Sequence, residues 1–309
     1  MSATQSTSHI FMVRPSVFYA NPQTASNNFF QKTSQENTSL ISQKAQQEFD
    51  ALVSVLRTEG VQVYVWQNPA DSDTPDAVFP NNWVSFHYPN TRVIYPMFAP
   101  NRRIEIRSAP LKMLENQGFK VNSEYDFSSY VSKNLFLEGT GSMVLDRVHK
   151  KAYCALSERC DKELVDLFCE KLGYQPVIFH AYQTHLNKRM PIYHTNVMMC
   201  IGTDFAIVGL DTVDDLEERD VIHQNLLNDG KEVIAISEFQ IHAFAGNMME
   251  VCNAEGRRFL VMSETAFKSL SKKQIQRLER YVTPLYSPLD TIEQLGGGSA
   301  RCMMAAVFN

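Results

Sequence analysis

The 309-residue sequence has no C-x-x-C pair, no block of lysine and arginine, no apolar run near 18 residues and no Gly/Ser- or Pro-rich linker in mid-chain. Without paired cysteines there is no sign of a zinc site or a disulfide framework. Five of the six cysteines, Cys154, Cys160, Cys169, Cys200 and Cys252, read as small buried apolar residues. Without a basic block, and with a formal charge of −5, neither nucleic acid nor an anionic membrane is the expected partner. The apolar run His9 to Val13 is too short for a signal peptide. A soluble, cytoplasmic protein is expected. The composition, 44% hydrophobic and 20% charged, excludes a disordered chain and allows one or two sizeable cores.

What is present is a rhythm of amphipathic helix, glycine, strand. Phe49, Leu52, Val53 and Leu56 follow helical spacing up to Gly60, and Val61 to Val65 then alternates as a strand does. Leu111 and Leu114 lead to Gly118 and the expected strand Phe119 to Val121. Leu164, Leu167, Phe168 and Leu172 lead to Gly173 and Val177 to Phe179. Val221, Leu226 and Leu227 lead to Gly230 and Val233 to Ile236. Ser271 to Gln274 has the form of a capping box, opening a helix that stops near Tyr281 before the extended Leu285-Tyr286. The four glycines suit positions just past helix ends, where a left-handed backbone costs glycine little. They are 58, 55 and 57 residues apart, and the fifth stop follows after 51. Five units with a period of about 55 residues predict a repeat architecture, although any α/β chain alternates strands and helices. The polar segment Ser2 to Asn37 holds one strand candidate, Ile10 to Arg14, and its first eight residues are expected to lack order.

Chemically able residues recur at one place in each unit, some 16 to 22 residues after each helix stop. They are Asn82 in Phe79-Pro-Asn-Asn82, Glu138 before Gly139, His194 in His194-Thr-Asn196, the segment Gly246 to Glu250 with Asn247, and Cys302 after Gly296-Gly-Gly298. In a quasi-symmetric ring, equivalent positions converge on one site. A cysteine beside Arg301 in a glycine-rich loop suits a low-pKa nucleophile, because backbone N–H groups there can cradle an oxyanion. His194 suits proton transfer near pH 7, and Glu138 can orient it. His87, His180, His185 and His242 read as ordinary histidines.

This ordered set resembles the amidinotransferase, or guanidino-group-modifying, superfamily, the penteins, from about residue 10 to the end of the chain. Members include arginine deiminases, dimethylarginine hydrolases, succinylarginine dihydrolases and glycine amidinotransferases. The resemblance implies an α/β fold: a five-bladed α/β propeller of pseudo-symmetric ββαβ modules, as a single domain over 1–309. It implies Cys302 as nucleophile, His194 as general acid/base and Glu138 as substrate-orienting carboxylate. It implies no metal and no organic cofactor, since a covalent intermediate carries the reaction. The expected partners are a small ureido or guanidino substrate and, at most, a second copy in a homodimer.

The sequence departs from guanidine-hydrolysing members where they usually carry aspartates. Asn82, Gly141 and Asn196 stand there instead. A guanidinium offers five N–H donors and a full charge, which carboxylates match. A neutral ureido group also presents a carbonyl, which asparagine amides match. The chain therefore looks most like the citrulline utilization hydrolase branch, acting on the ureido group of citrulline. In this reading Asn82, Asn196, Asn247 and Phe79 contact the substrate, and Arg301 or Arg103, with Arg102 beside it, pairs with its α-carboxylate. Three alternatives stand. Guanidine chemistry would use Glu138 with Asp76 or Glu250. A noncatalytic pentein would only bind. An unrelated two-domain α/β protein would leave these residues apart.

Overall fold

The computed structural model describes residues 4–308. Among these residues the chain makes five three-stranded sheets and one two-stranded hairpin. Each three-stranded sheet is built alike: an antiparallel pair, then a helix, then a strand parallel to the central one. In the second sheet Val84–His87 pairs antiparallel with Thr91–Ile94, and the helix Ser108–Asn116 leads to the parallel Ser123–Asp126. The third joins Val144–Asp146, Lys151–Ala155 and Gln175–Phe179, the fourth Met199–Ile201, Phe205–Val208 and Glu232–Ala235. The fifth joins Met249–Cys252, Arg258–Ser263 and Thr283–Ser287.

The first sheet takes its strands from both ends of the described chain. His9–Arg14 runs parallel to Gln62–Gln67, with the helix Thr38–Thr58 between them. Its antiparallel partner is Ala305–Ala306, with Ile10 opposite Ala306. The module is thus a circular permutation of the other four.

Burial sets the layering. The leading strands Val84–His87, Val144–Asp146 and Met199–Ile201 are buried at every residue. Helices cover the outside with one apolar face. In Thr38–Thr58 that face is Ile41, Ala45, Phe49, Leu52 and Leu56, and the Asn37 side chain accepts the Ser39 N–H at 2.8 Å as N-cap. Each buried leucine or phenylalanine contributes about 1.5–3 kcal/mol.

Gly60, Gly118, Gly173 and Gly230 all have positive φ, between 70° and 97°, as their places after helices require. The expected capping box forms at Ser271 and Gln274. Three expectations need correction. The strand foreseen at Phe119 to Val121 lies at Ser123–Asp126, because Phe119 turns inward to pack with Leu111 and Leu114 under the sheet. Residues 4–8 of the expected disordered start are fixed: Gln5 donates to Leu145 O and Ile201 O, and Thr7 Oγ1 donates to Val307 O; the remainder of that start lies outside the described residues. The hairpin Tyr182–His185 with Lys188–Pro191 was not foreseen. Among the described residues no helix is long and apolar enough to cross a membrane.

Candidate active site

The turn just before each module's leading strand carries one chemical group. Pro80–Asn82 precedes the second sheet, Gly139–Ser142 the third and Thr195–Val197 the fourth. Asn247 precedes the fifth, and Cys302 precedes the closing strand Ala305–Ala306. The turn Gly139–Ser142 packs against both Pro80–Asn82 and Thr195–Val197.

Glu138 is fully buried. Its carboxylate accepts from Phe98 N–H at 2.9 Å and meets His194 Nε2 at 2.8 Å. Arg159 Nη1 lies 3.5 Å away and Arg102 Nη1 3.8 Å. Burial alone would raise this carboxyl. The Arg159 charge, the His194 hydrogen bond and Arg102 outweigh it and hold Glu138 well below the usual range, hence ionised. His194 moves the other way. Burial lowers it to about 4 and the two arginines add to that, while Glu138 opposes. A carboxylate on Nε2 places the proton there, which leaves Nδ1 as the basic atom.

These values fix a pH response. His194 is neutral in the fold near pH 5, whereas an unfolded histidine, with a pKa of about 6.5, is largely charged there. The unfolded state then binds more protons on this residue, so the contribution of His194 to stability is full above pH 6.5 and falls as pH drops toward 4. The expected loss is roughly 2–3 kcal/mol. Urea midpoints at pH 7.5 and 5.0 measure it. The readout is the change in that difference between wild type and His194→Gln, because Glu105 and Glu293, raised to about 7 by burial, act in the opposite direction in both proteins. A difference that is the same in both would mean that His194 is charged in the fold.

Cys302 is buried, and asparagines surround its sulfur. Asn247 Nδ2 donates to Sγ at 3.1 Å and Asn196 Nδ2 at 3.5 Å, and the Cys302 N–H reaches Asn247 Oδ1 at 3.4 Å. Asn196 lies two residues beyond His194 in the same turn, which ties the sulfur to the histidine–glutamate pair. The glycine-rich loop is held from several sides. Tyr193 Oη donates to Gly297 O at 2.5 Å, Asn28 Nδ2 to Gly296 O at 3.1 Å and Ser299 Oγ to Glu293 at 2.6 Å. A Cβ on Gly298 would sit 3.1 Å from the Phe79 ring, so Phe79 supports the loop from within the core.

Asn82 is spent internally. Its Oδ1 accepts from Arg102 Nη1 at 2.8 Å and its Nδ2 donates to Asn81. Asp76 is buried, held by Asn21 Nδ2 at 2.7 Å with Arg102 Nε at 3.8 Å. Gly141 has its own reason. A Cβ there would lie 2.5 Å from Asn82 Nδ2 and 2.7 Å from His194 Nδ1, so a side chain would displace both.

The sequence profile of the eukaryotic N,N-dimethylarginine dimethylhydrolase family matches residues 14–309. The chain belongs to that family, within the amidinotransferase, or pentein, superfamily. Among curated protein sequences none matches. Among solved structures, ArgZ, an arginine dihydrolase from the ornithine–ammonia cycle in cyanobacteria, is similar with a TM-score of 0.73 at 17% identity. That likeness covers 97% of this chain and 40% of ArgZ, so the chain spans about two fifths of that relative's length. Unliganded AgrE gives 0.72 at 18% identity, covering 97% and 39%. A dimethylarginine dimethylaminohydrolase adduct with S-methyl-L-thiocitrulline gives 0.61 at 17%, covering 96% and 98%. These likenesses show that this family member shares their mixed α/β fold.

Within this pentein, two of the residues foreseen as substrate contacts are elsewhere. Arg103 donates to Met97 O and Phe98 O at 3.0 and 2.9 Å and braces the loop whose N–H caps Glu138. Arg301 donates to Met304 O at 2.9 Å and lines a different cavity. Glu250, weighed as a guanidine ligand, is bound to Thr203 and lines that same cavity. Arg102, weighed for the α-carboxylate, is buried on Glu105 and Asn82. The sequence reading missed Arg159. It bonds Thr24 O and Asn27 Oδ1, lies 4.9 Å from the Tyr193 ring and walls a cavity of about 260 Å³ with Phe29, Met190 and Tyr193. No local pattern flags it, since it follows Glu138 by a whole strand pair. Among the described residues Asp146, His149 and Asp229 offer a metal-like grouping, but Lys231 at 3.2 Å and Lys151 at 2.7 Å already neutralise the two aspartates.

Proposed function

We propose that the chain is a cysteine-dependent hydrolase of the ureido group of citrulline, releasing ornithine, carbon dioxide and ammonia. The observation that carries the reading is Arg102. This internal guanidinium lies among Asn82, Asp76 and Glu138, the groups that would otherwise receive a substrate guanidinium. A second buried cation would meet Arg102, at a cost of several kcal/mol, whereas a neutral ureido group brings no charge.

In this mechanism the Cys302 thiolate attacks the ureido carbon. Asn196 and Asn247 hold the sulfur, and Glu138 orients His194. His194 Nδ1 takes the thiol proton and passes it to the departing amine. The carbon–nitrogen bond breaks, ornithine leaves and an S-carbamoyl enzyme remains. His194 then deprotonates water, which displaces the sulfur and yields carbamate, the source of carbon dioxide and ammonia. Arg159, in the wall of the adjoining cavity, takes the role foreseen for Arg103 and Arg301 and pairs with the α-carboxylate. The five alike modules are read as blades of one propeller forming a single domain. Support comes from the closing strand Ala305–Ala306, which joins the two ends of the chain.

A second reading, guanidino hydrolysis, draws on Asp76. Its Oδ1 is buried without a hydrogen-bond partner, and the family takes its name from dimethylarginine. The deciding experiment gives purified protein citrulline, arginine and dimethylarginine in parallel and follows ornithine, citrulline and ammonia. Ornithine from citrulline alone supports the ureidase. Citrulline formed from arginine or dimethylarginine, with no ornithine from citrulline, overturns it in favour of the second reading.

A further inference from the structure

Arg147 and Arg301 line one cavity of about 40 Å³ behind the Cys302 loop. Arg147 is buried and Arg301 half-buried, and their desolvation pulls both guanidinium groups down, Arg301 to about 10. Arg147 donates to Phe86 O at 3.3 Å and lies 4.1 Å from the Phe308 ring. Arg301 donates to Met304 O. Among the described residues no carboxylate forms an ion pair with either, and the two arginines repel each other. Glu250 shares the cavity wall but is turned to the Thr203 N–H at 3.0 Å, with Arg258 at 4.0 Å. The Cys302 thiolate would offset Arg301 alone. Gln5 spans one end, bonded to Leu145 O, Ile201 O and Arg147 N–H at 3.0, 3.0 and 2.8 Å.

A buried cation without a counterion is costly, and two in one cavity are more so. We propose that this cavity binds one small inorganic anion, of halide size, between Arg147 and Arg301. The space limits the ligand, since a single water claims about 30 Å³ of liquid volume. Guanidinium N–H groups supply the directed donors. Such an anion binds only the folded state, so it stabilises by mass action.

The test compares thermal midpoints in sodium chloride and in sodium gluconate at equal ionic strength, gluconate being too large for the cavity. Chloride at ten times its Kd is expected to raise Tm by about 2 °C. Arg147→Met and Arg301→Met are each expected to lose that increment. Equal midpoints in the two salts, or an increment that survives both substitutions, overturns the proposal. Should either variant fail to fold, a bromide-soaked crystal of the wild-type protein decides it. An anomalous peak between the two guanidinium groups supports the site, and its absence overturns it.

Discussion

Cys302→Ser is expected to lower ornithine release from citrulline by at least about 10⁴-fold, the scale seen when a catalytic nucleophile is removed. The fold should persist. A serine oxygen can still accept the Asn247 and Asn196 amides that now reach Sγ at 3.1 and 3.5 Å, and the backbone bond from Cys302 N–H to Ser299 O at 2.9 Å is untouched. Steady-state turnover and a melting curve on one preparation separate the two effects. Turnover within tenfold of wild type would remove Cys302 from the mechanism.

Glu138→Ala is expected to damage stability as well as activity. Its carboxylate is the shared counterion of Arg159 and Arg102, both nearly inaccessible to solvent, and it caps the Phe98 N–H. Removing one partner of a buried ionic cluster costs about 3–5 kcal/mol. In a chain of this size that corresponds to a Tm lower by roughly 5–8 °C. His194 would lose the acceptor that sets its tautomer, so turnover should fall too. A variant that melts within about 2 °C of wild type would mean that the two arginines do not depend on Glu138 as their counterion.

The parts of this arrangement that were legible in the sequence follow from local physics. A residue just past a helix end must often turn left-handed, and glycine does so cheaply. The regular run of such glycines therefore exposed the modules. Similar offsets from the helix stops, four of them glycines, pointed to Asn82, Glu138, His194, Asn247 and Cys302, because the module geometry fixes where each leading strand begins. The arginines were less legible. Arg102 and Arg103 are neighbours on the single turn Pro100–Arg103, so about 100° of rotation puts one in the site and the other on a loop carbonyl. No apolar periodicity marks so short a helix. Arg159 is placed by tertiary contacts with residues 24 and 27, across more than 130 positions of sequence. Arg301 looked aimed at substrate because it adjoins Cys302, yet successive residues diverge in a turn as they do in a strand.

The pairing of Ile10 with Ala306 has a consequence for biosynthesis. Closing a loop of nearly 300 residues is slow, because its entropy is paid before any contact repays it. The closing segment also delivers the nucleophile, which lies three residues ahead of it. A growing polypeptide with four finished modules therefore holds His194 and Glu138 without Cys302. Under the proposed mechanism the site is complete only once Ala305–Ala306 has paired with His9–Arg14.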